Sequence, residues 1–146
     1  MIPVEKFKIL LIEDDELDLE KFERSMRRIG IDNDLIHATD GINALEILRG
    51  EGENQQPLRG PLVALLDLNM PRMNGHEFLS EVRNDERLQR LSVFVMSTSD
   101  RPQDINTSYD HHVNGYLIKP FTMQQTYDTV EALHNYWSVL RFPSLE

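Results

Sequence analysis

The chain has 146 residues, 40% of them hydrophobic, which suits one buried core and is too apolar for a disordered chain. Its 25 acidic residues outnumber its 15 basic ones, and the resulting net charge of −10 argues against direct contact with nucleic-acid phosphates. Cysteine is absent, so disulfides, thiol catalysis and cysteine-ligated metal centres are excluded.

Short apolar runs alternate with amphipathic segments along the chain. Lys8–Ile12 is an apolar run that stops at acids and predicts a strand. Glu16–Ile29 follows with Leu19, Phe22, Met26 and Ile29 at helical spacing. Leu35–Ala38 predicts a second strand. Asp40 is placed to cap a helix whose stripe is Ile42, Leu45 and Leu48. Gly50–Pro61, rich in Gly, Pro and polar residues, predicts a loop.

Leu62–Leu66 predicts a third strand, and Gly75–Val82 begins a helix with Phe78, Leu79 and Val82 inward. Leu91–Met96 is the fourth strand. Asp100–Tyr109 is a weaker helix opened by Pro102. Tyr116–Ile118 is the fifth strand. Thr122 then caps a helix to about Leu140, with Tyr127, Val130, Leu133 and Trp137 on one face. Five βα units with continuous apolar strands predict a parallel sheet covered on both faces. The fold class is therefore α/β, a doubly wound five-stranded parallel sheet in three layers, and residues 1–146 form one domain with a short tail at about 138–146.

No apolar run approaches the roughly 20 residues that cross a bilayer, and acids flank Ile9–Ile12, unlike a signal peptide. A complete, cytoplasmic protein is expected. No phosphate-binding P-loop, G-x-G-x-x-G or H-E-x-x-H string occurs, and His111-His112 sits among turn formers as a solvated pair.

In such a sheet, ligands bind outside the carboxyl ends of the strands. Those ends carry Glu13-Asp14-Asp15, Asp67, Ser97-Thr98-Ser99 and Lys119-Pro120. Clustered carboxylates repel one another, and a hard divalent cation relieves that repulsion with oxygen ligands. One carboxylate beside the ion can attack phosphorus, while a lysine and a hydroxyl steady phosphoryl oxygens. A cis Lys119–Pro120 bond is expected to aim the lysine inward.

These residues resemble the receiver domain of two-component response regulators. The likeness is carried by Leu11-Ile12-Glu13-Asp14, by the D-x-x-M-P-x-x-N-G string from Asp67 to Gly75, by Ser97, and by Gly115-Tyr116-Leu117-Ile118-Lys119-Pro120-Phe121. Asp67, Ser97 and Lys119 are thirty and twenty-two positions apart, as in that family. It covers nearly the whole chain and implies a flavodoxin-like (βα)5 fold.

The resemblance also implies roles. Asp67 accepts a phosphoryl group from a sensor histidine kinase. Glu13, Asp14, Asp67 and the Asn69 backbone carbonyl hold Mg²⁺ (or Mn²⁺). Lys119 contacts the phosphoryl group, Ser97 is the switch hydroxyl, and Tyr116 changes rotamer with it. Such a protein is a switch, catalysing at most its own phosphorylation and dephosphorylation.

The insertion Gly50–Pro61, the Ser97-Thr98-Ser99 string, Ser108-Tyr109-Asp110 and Tyr136-Trp137 resemble, more narrowly, the stand-alone regulators of bacterial and cyanobacterial phytochromes. That likeness implies a bacteriophytochrome kinase as partner and a homodimer. A downstream histidine phosphotransfer protein is a further expected partner. Thr98 stands where receivers usually carry a small residue, and should narrow access to Asp67. Ser99 and Asn69 flank the place of an attacking water and would tune dephosphorylation. Trp137, Leu140, Phe142 and Leu145 extend apolar character into the tail; the first three are the expected dimer contacts, the alternative being a tail folded onto its own core.

Two other functions compete. A haloacid-dehalogenase-like phosphohydrolase also uses an aspartyl-phosphate, but has a second acid two residues after the nucleophile, where this chain has Asn69. A binding-only pseudo-receiver would not need the full acidic set and Lys119.

Overall fold

The computed structural model describes residues 6–146; the expectation for the N-terminus lies partly outside them. Five parallel strands and five helices alternate: β1 (Lys8–Ile12), α1 (Glu16–Ile29), β2 (Leu35–Ala38), α2 (Gly41–Arg49), β3 (Gly60–Leu66), α3 (Gly75–Arg83), β4 (Ser92–Ser97), α4 (Pro102–Asp110), β5 (Gly115–Ile118) and α5 (Met123–Trp137). The strand order is β2-β1-β3-β4-β5, the order of the flavodoxin-like fold that the family resemblance implies. A short β6 (Ser144–Leu145), which the sequence did not predict, pairs antiparallel with the start of β3.

Strand side chains alternate between two apolar layers. Leu10 and Ile12 of β1, with Leu62, Ala64 and Leu66 of β3, meet α2 and α3 through Ala44, Leu48, Phe78 and Leu79. Ile9, Leu11, Val63 and Leu65 face α1 and α5 through Phe22, Met26, Val130 and Trp137. Both faces of β1 and β3 are covered, which explains why these strands read as unbroken apolar runs. On α4, among the residues of the helix, only Ser108 is buried, in keeping with its weak stripe.

Helix ends follow local chemistry. Asp15 caps α1 and Asp40 caps α2. Asn74 with Glu77, and Thr122 with Gln125, form capping boxes at α3 and α5. Gly75 lets α3 start against the end of β3: a Cβ there would stand 2.8 Å from Leu68 Cα and 2.9 Å from the Asp67 carbonyl oxygen.

Several expectations are corrected. The loop after α2 ends earlier than Pro61, because Gly60 and Pro61 pair with Leu145 and Ser144. Helix α5 stops at Trp137 rather than near Leu140, and its buried line is Thr126, Val130, Leu133 and Trp137. Tyr127 instead lies under the Arg28 guanidinium, 4.4 Å from its ring centroid. The apolar tail is not an exposed patch. Trp137, Phe142 and Leu145 are buried in the chain's own core, and Leu140 packs half-buried against it. Phe142 meets Phe7 edge-on at 5.1 Å, and Arg87 donates to the carbonyls of Leu48, Leu58 and Glu146, tying the tail to α2 and the insertion. No helix among the described residues is long and apolar enough to cross a membrane.

Candidate phosphoacceptor and metal site

Strand register assembles the site. Ile12 of β1 stands opposite Leu66 of β3, so the next residues, Glu13 and Asp67, emerge side by side. Their backbones are pinned there: Glu13 N–H donates to Ala38 O and Asp67 N–H to Ile12 O. Ser97 of β4 stands opposite Ile118 of β5, and the following Lys119 N–H donates to Ser97 O at 2.8 Å. The strand-end residues expected from the sequence therefore share one edge of the sheet. Glu13, Asp14, Asp67, Asn69, Thr98 and Lys119 line a common recess.

Glu13 and Asp67 are buried and Asp14 is exposed at the rim. Each offers a carboxylate oxygen, and the three atoms lie within 4.8 Å of one another. Burial pushes the Glu13 carboxyl up to about 7, with the neighbouring Asp67 charge adding to it against the pull of Lys119. Burial likewise raises Asp67, opposed chiefly by Lys119 and by a hydrogen bond from Asn69 N–H at 3.2 Å. Burial disfavours the Lys119 charge, but hydrogen bonds to Asp18 and Glu13 outweigh it and hold the ammonium above its ordinary range. The cluster thus carries more carboxylate than one lysine neutralises. That donor set fits a hard oxygen-seeking cation such as Mg²⁺ or Mn²⁺, with the open rim leaving room for retained water.

The loop between β4 and α4 is tied down. Ser97 is fully buried, and its Oγ accepts from Ser99 N–H at 3.1 Å. The Tyr116 hydroxyl donates to Ser99 O at 2.8 Å, with the ring half-buried against the core. Ser99 Oγ donates to Asp104 Oδ2 at 2.6 Å, and His76 Nε2 lies 3.3 Å from the other Asp104 oxygen. Of the two residues expected beside the attacking water, Asn69 lines the recess, whereas Ser99 turns its hydroxyl onto α4; Thr98 lines the recess instead. The Lys119–Pro120 bond is not cis, since no described peptide bond is. The lysine is aimed instead by the β5 register and its carboxylate partners.

Two contacts escaped the sequence. Asp18 lies 2.7 Å from Lys119 Nζ, nearer than Glu13 at 2.9 Å or Asp67 at 3.5 Å. An acid at the third position of a helix ordinarily reads as support for the helix amides, which hides it. Asp104 was equally silent, because a first-turn acid on α4 needs no other explanation.

The sequence pattern of the response regulator receiver domain matches residues 9–131. The chain is 37% identical over 131 residues to the "Probable methanogenesis regulatory protein FilR2" of Methanothrix harundinacea, covering 90% of this chain and 83% of the relative. It is 35% identical over 129 residues to "Response regulator Rcp1" of Synechocystis sp., covering 88% and 87% respectively. The crystal structure of the phosphorylated cyanobacterial phytochrome response regulator RcpA is similar with a TM-score of 0.80 at 33% identity, over 92% of this chain and 95% of that one. The Mn²⁺-bound form of Rcp1 is similar with a TM-score of 0.82 at 32% identity, over 94% and 99%. By fold, by strand-end motifs and by these likenesses, the chain belongs to the response regulator receiver domain family of two-component signalling.

Proposed function

We propose that this protein is a phosphorylation switch in which Asp67 accepts a phosphoryl group from a sensor histidine kinase. The observation that carries it is the convergence of Glu13, Asp14, Asp67 and Lys119 at adjacent strand ends. An Asp67 carboxylate oxygen bonds to phosphorus as the P–N bond of the kinase phosphohistidine breaks, and the imidazole keeps the electron pair. Lys119 steadies the phosphoryl oxygens. Glu13, Asp14, Asp67 and the Asn69 carbonyl would hold Mg²⁺ or Mn²⁺, which supplies charge neutralisation for the extra roughly −1.5 to −2 at the site. The Mn²⁺-bound form of Rcp1 supports a divalent cation here by likeness.

Ser97 and Tyr116 form the readout. When the Ser97 hydroxyl turns toward the phosphoryl group it leaves Ser99 N–H, and the Tyr116 ring is free to follow the loop. The α4–β5–α5 face then changes shape, a population shift driven by one local charge. Asn69 is placed to tune dephosphorylation, with Thr98 rather than the Ser99 hydroxyl on the other wall of the recess.

The likeness to Rcp1 and RcpA points to a phytochrome-type kinase as donor. A second copy of the chain is the proposed partner at the end of α5. Trp137 and Phe142 are already covered there, so Tyr136 and Val139, both exposed, are the apolar contacts left to offer. One receiver domain with a tail at about 138–146, acting as a cytoplasmic regulator that passes its signal by contact or to a histidine phosphotransfer protein, completes the proposal. Mixing the protein with autophosphorylated histidine kinases tests it. Transfer from a phytochrome kinase is expected, and failure to accept phosphoryl from any of them would overturn it.

A further inference from the structure

Lys119 is, among the described residues, the cation that ion-pairs with the acidic cluster, and its shortest contact is to Asp18. Both partners are held from behind. Asp15 Oδ1 accepts from the backbone N–H of Leu17 and of Asp18, which fixes the first turn of α1. That leaves the Asp18 carboxylate free of capping duty. Lys119 is fixed by its backbone bond to Ser97. The pair therefore joins the start of α1 to the end of β5 across the mouth of the site.

We propose that Asp18 is a positioning residue that holds the Lys119 ammonium off Asp67 in the resting protein and competes with the phosphoryl group for it. The inference rests on Asp67 being the phosphoacceptor. An ammonium has three donors, and here they face Asp18, Glu13 and Asp67 at 2.7, 2.9 and 3.5 Å. A phosphoryl group on Asp67 would take the donor that now faces Asp67 at 3.5 Å, and closing that distance draws the ammonium away from Asp18 at 2.7 Å. Asp18 also places a negative charge beside a site that gains nearly two more. Removing that charge weakens the pull on the ammonium and removes a repulsion, and both effects tighten the hold on a phosphoryl group. Glu13 still orients the lysine when Asp18 is gone.

The test titrates the full chain with beryllofluoride, a phosphoryl mimic, at saturating Mg²⁺, comparing wild type, Asp18→Asn and Asp18→Glu. Asp18→Asn should bind roughly threefold tighter or more, the effect of one partly buried charge contact. Asp18→Glu, which keeps the charge, should stay closer to wild type than to Asp18→Asn. The ¹⁵N signal of the Lys119 ammonium separates positioning from a general charge effect. It should exchange protons with water slowly in wild type and faster in Asp18→Asn. Equal or weaker beryllofluoride binding by Asp18→Asn, or unchanged ammonium exchange, overturns the inference. A wild-type protein that binds no beryllofluoride overturns the phosphoacceptor assignment itself, and this inference with it.

Discussion

The Tyr116 hydroxyl donates to the Ser99 carbonyl at 2.8 Å, latching β5 to the loop that follows β4. The same loop is held by Ser99 Oγ on Asp104 and by Ser99 N–H on Ser97 Oγ. With the Arg101 N–H on Ser99 Oγ, four hydrogen bonds converge on Ser99, and the proposed switch must break or move at least one of them.

Tyr116→Phe keeps the ring and removes one bond. The loss should cost about 0.5–1.5 kcal/mol, the net worth of a hydrogen bond to a carbonyl that stays partly hydrated. Amide exchange at Ser99, Asp100 and Arg101 should quicken while the helices on the α1 face stay unchanged. Phosphoryl uptake should persist, because the Tyr116 hydroxyl bonds the Ser99 carbonyl rather than a carboxylate of the site. Hydrogen-exchange mass spectrometry checks the first point, and an unchanged loop would mean that the latch carries no weight.

The tail makes a second prediction. Phe142 is buried against Phe7, and Leu145, a residue of β6, is buried in the core. Phe142→Ala should destabilise the protein by about 3 kcal/mol, within the range for a buried aromatic cut to alanine. Denaturant unfolding measures it. A loss below about 0.5 kcal/mol, as at an exposed surface site, would show that the tail is not part of the core in solution.

Glu13 gives stability a definite pH dependence. Its carboxyl is raised from 4.5 to about 7 in the folded chain, so between those values the folded state binds more protons than the unfolded one. Stability contributed by this group therefore falls as pH rises from about 4.5 to 7. Mg²⁺ should reverse the trend, since it binds the ionised carboxylates. The rise in melting temperature on adding Mg²⁺ should be larger at pH 7.5 than at pH 5, and Asp14→Ala should shrink it. Thermal scans with Mg²⁺ and with chelator check this; an equal rise at both pH values would contradict it.

Much of the fold and of the site is legible in the sequence. Continuous apolar strands named the parallel sheet, and the sheet named its carboxyl ends as the place to look, so Glu13, Asp67, Ser97 and Lys119 fell together. What stayed hidden depended on contacts far apart in sequence or on side chains with an adequate local explanation. Asp18 looked like a helix-start acid until Lys119, a hundred and one positions later, came within 2.7 Å. Phe142 and Leu145 have the same apolar character whether they cover their own core or another chain. The antiparallel pairing of β6 with Gly60 and Pro61 decides between those outcomes, and no local pattern announces it. The Lys119–Pro120 bond illustrates a third kind of ambiguity, because proline permits both isomers and only the surroundings choose.

Transfer of phosphoryl to Asp67 tests the central claim most directly. Wild type and Asp67→Asn are incubated with an autophosphorylated histidine kinase and Mg²⁺, and acid-labile phosphate on each is followed by radiolabel and mapped by mass spectrometry. Wild type should take up one phosphoryl group on Asp67, lose it in acid, and require Mg²⁺, while Asp67→Asn stays unlabelled. Equal labelling of Asp67→Asn, or a wild type that accepts phosphoryl at another residue, would contradict the assignment.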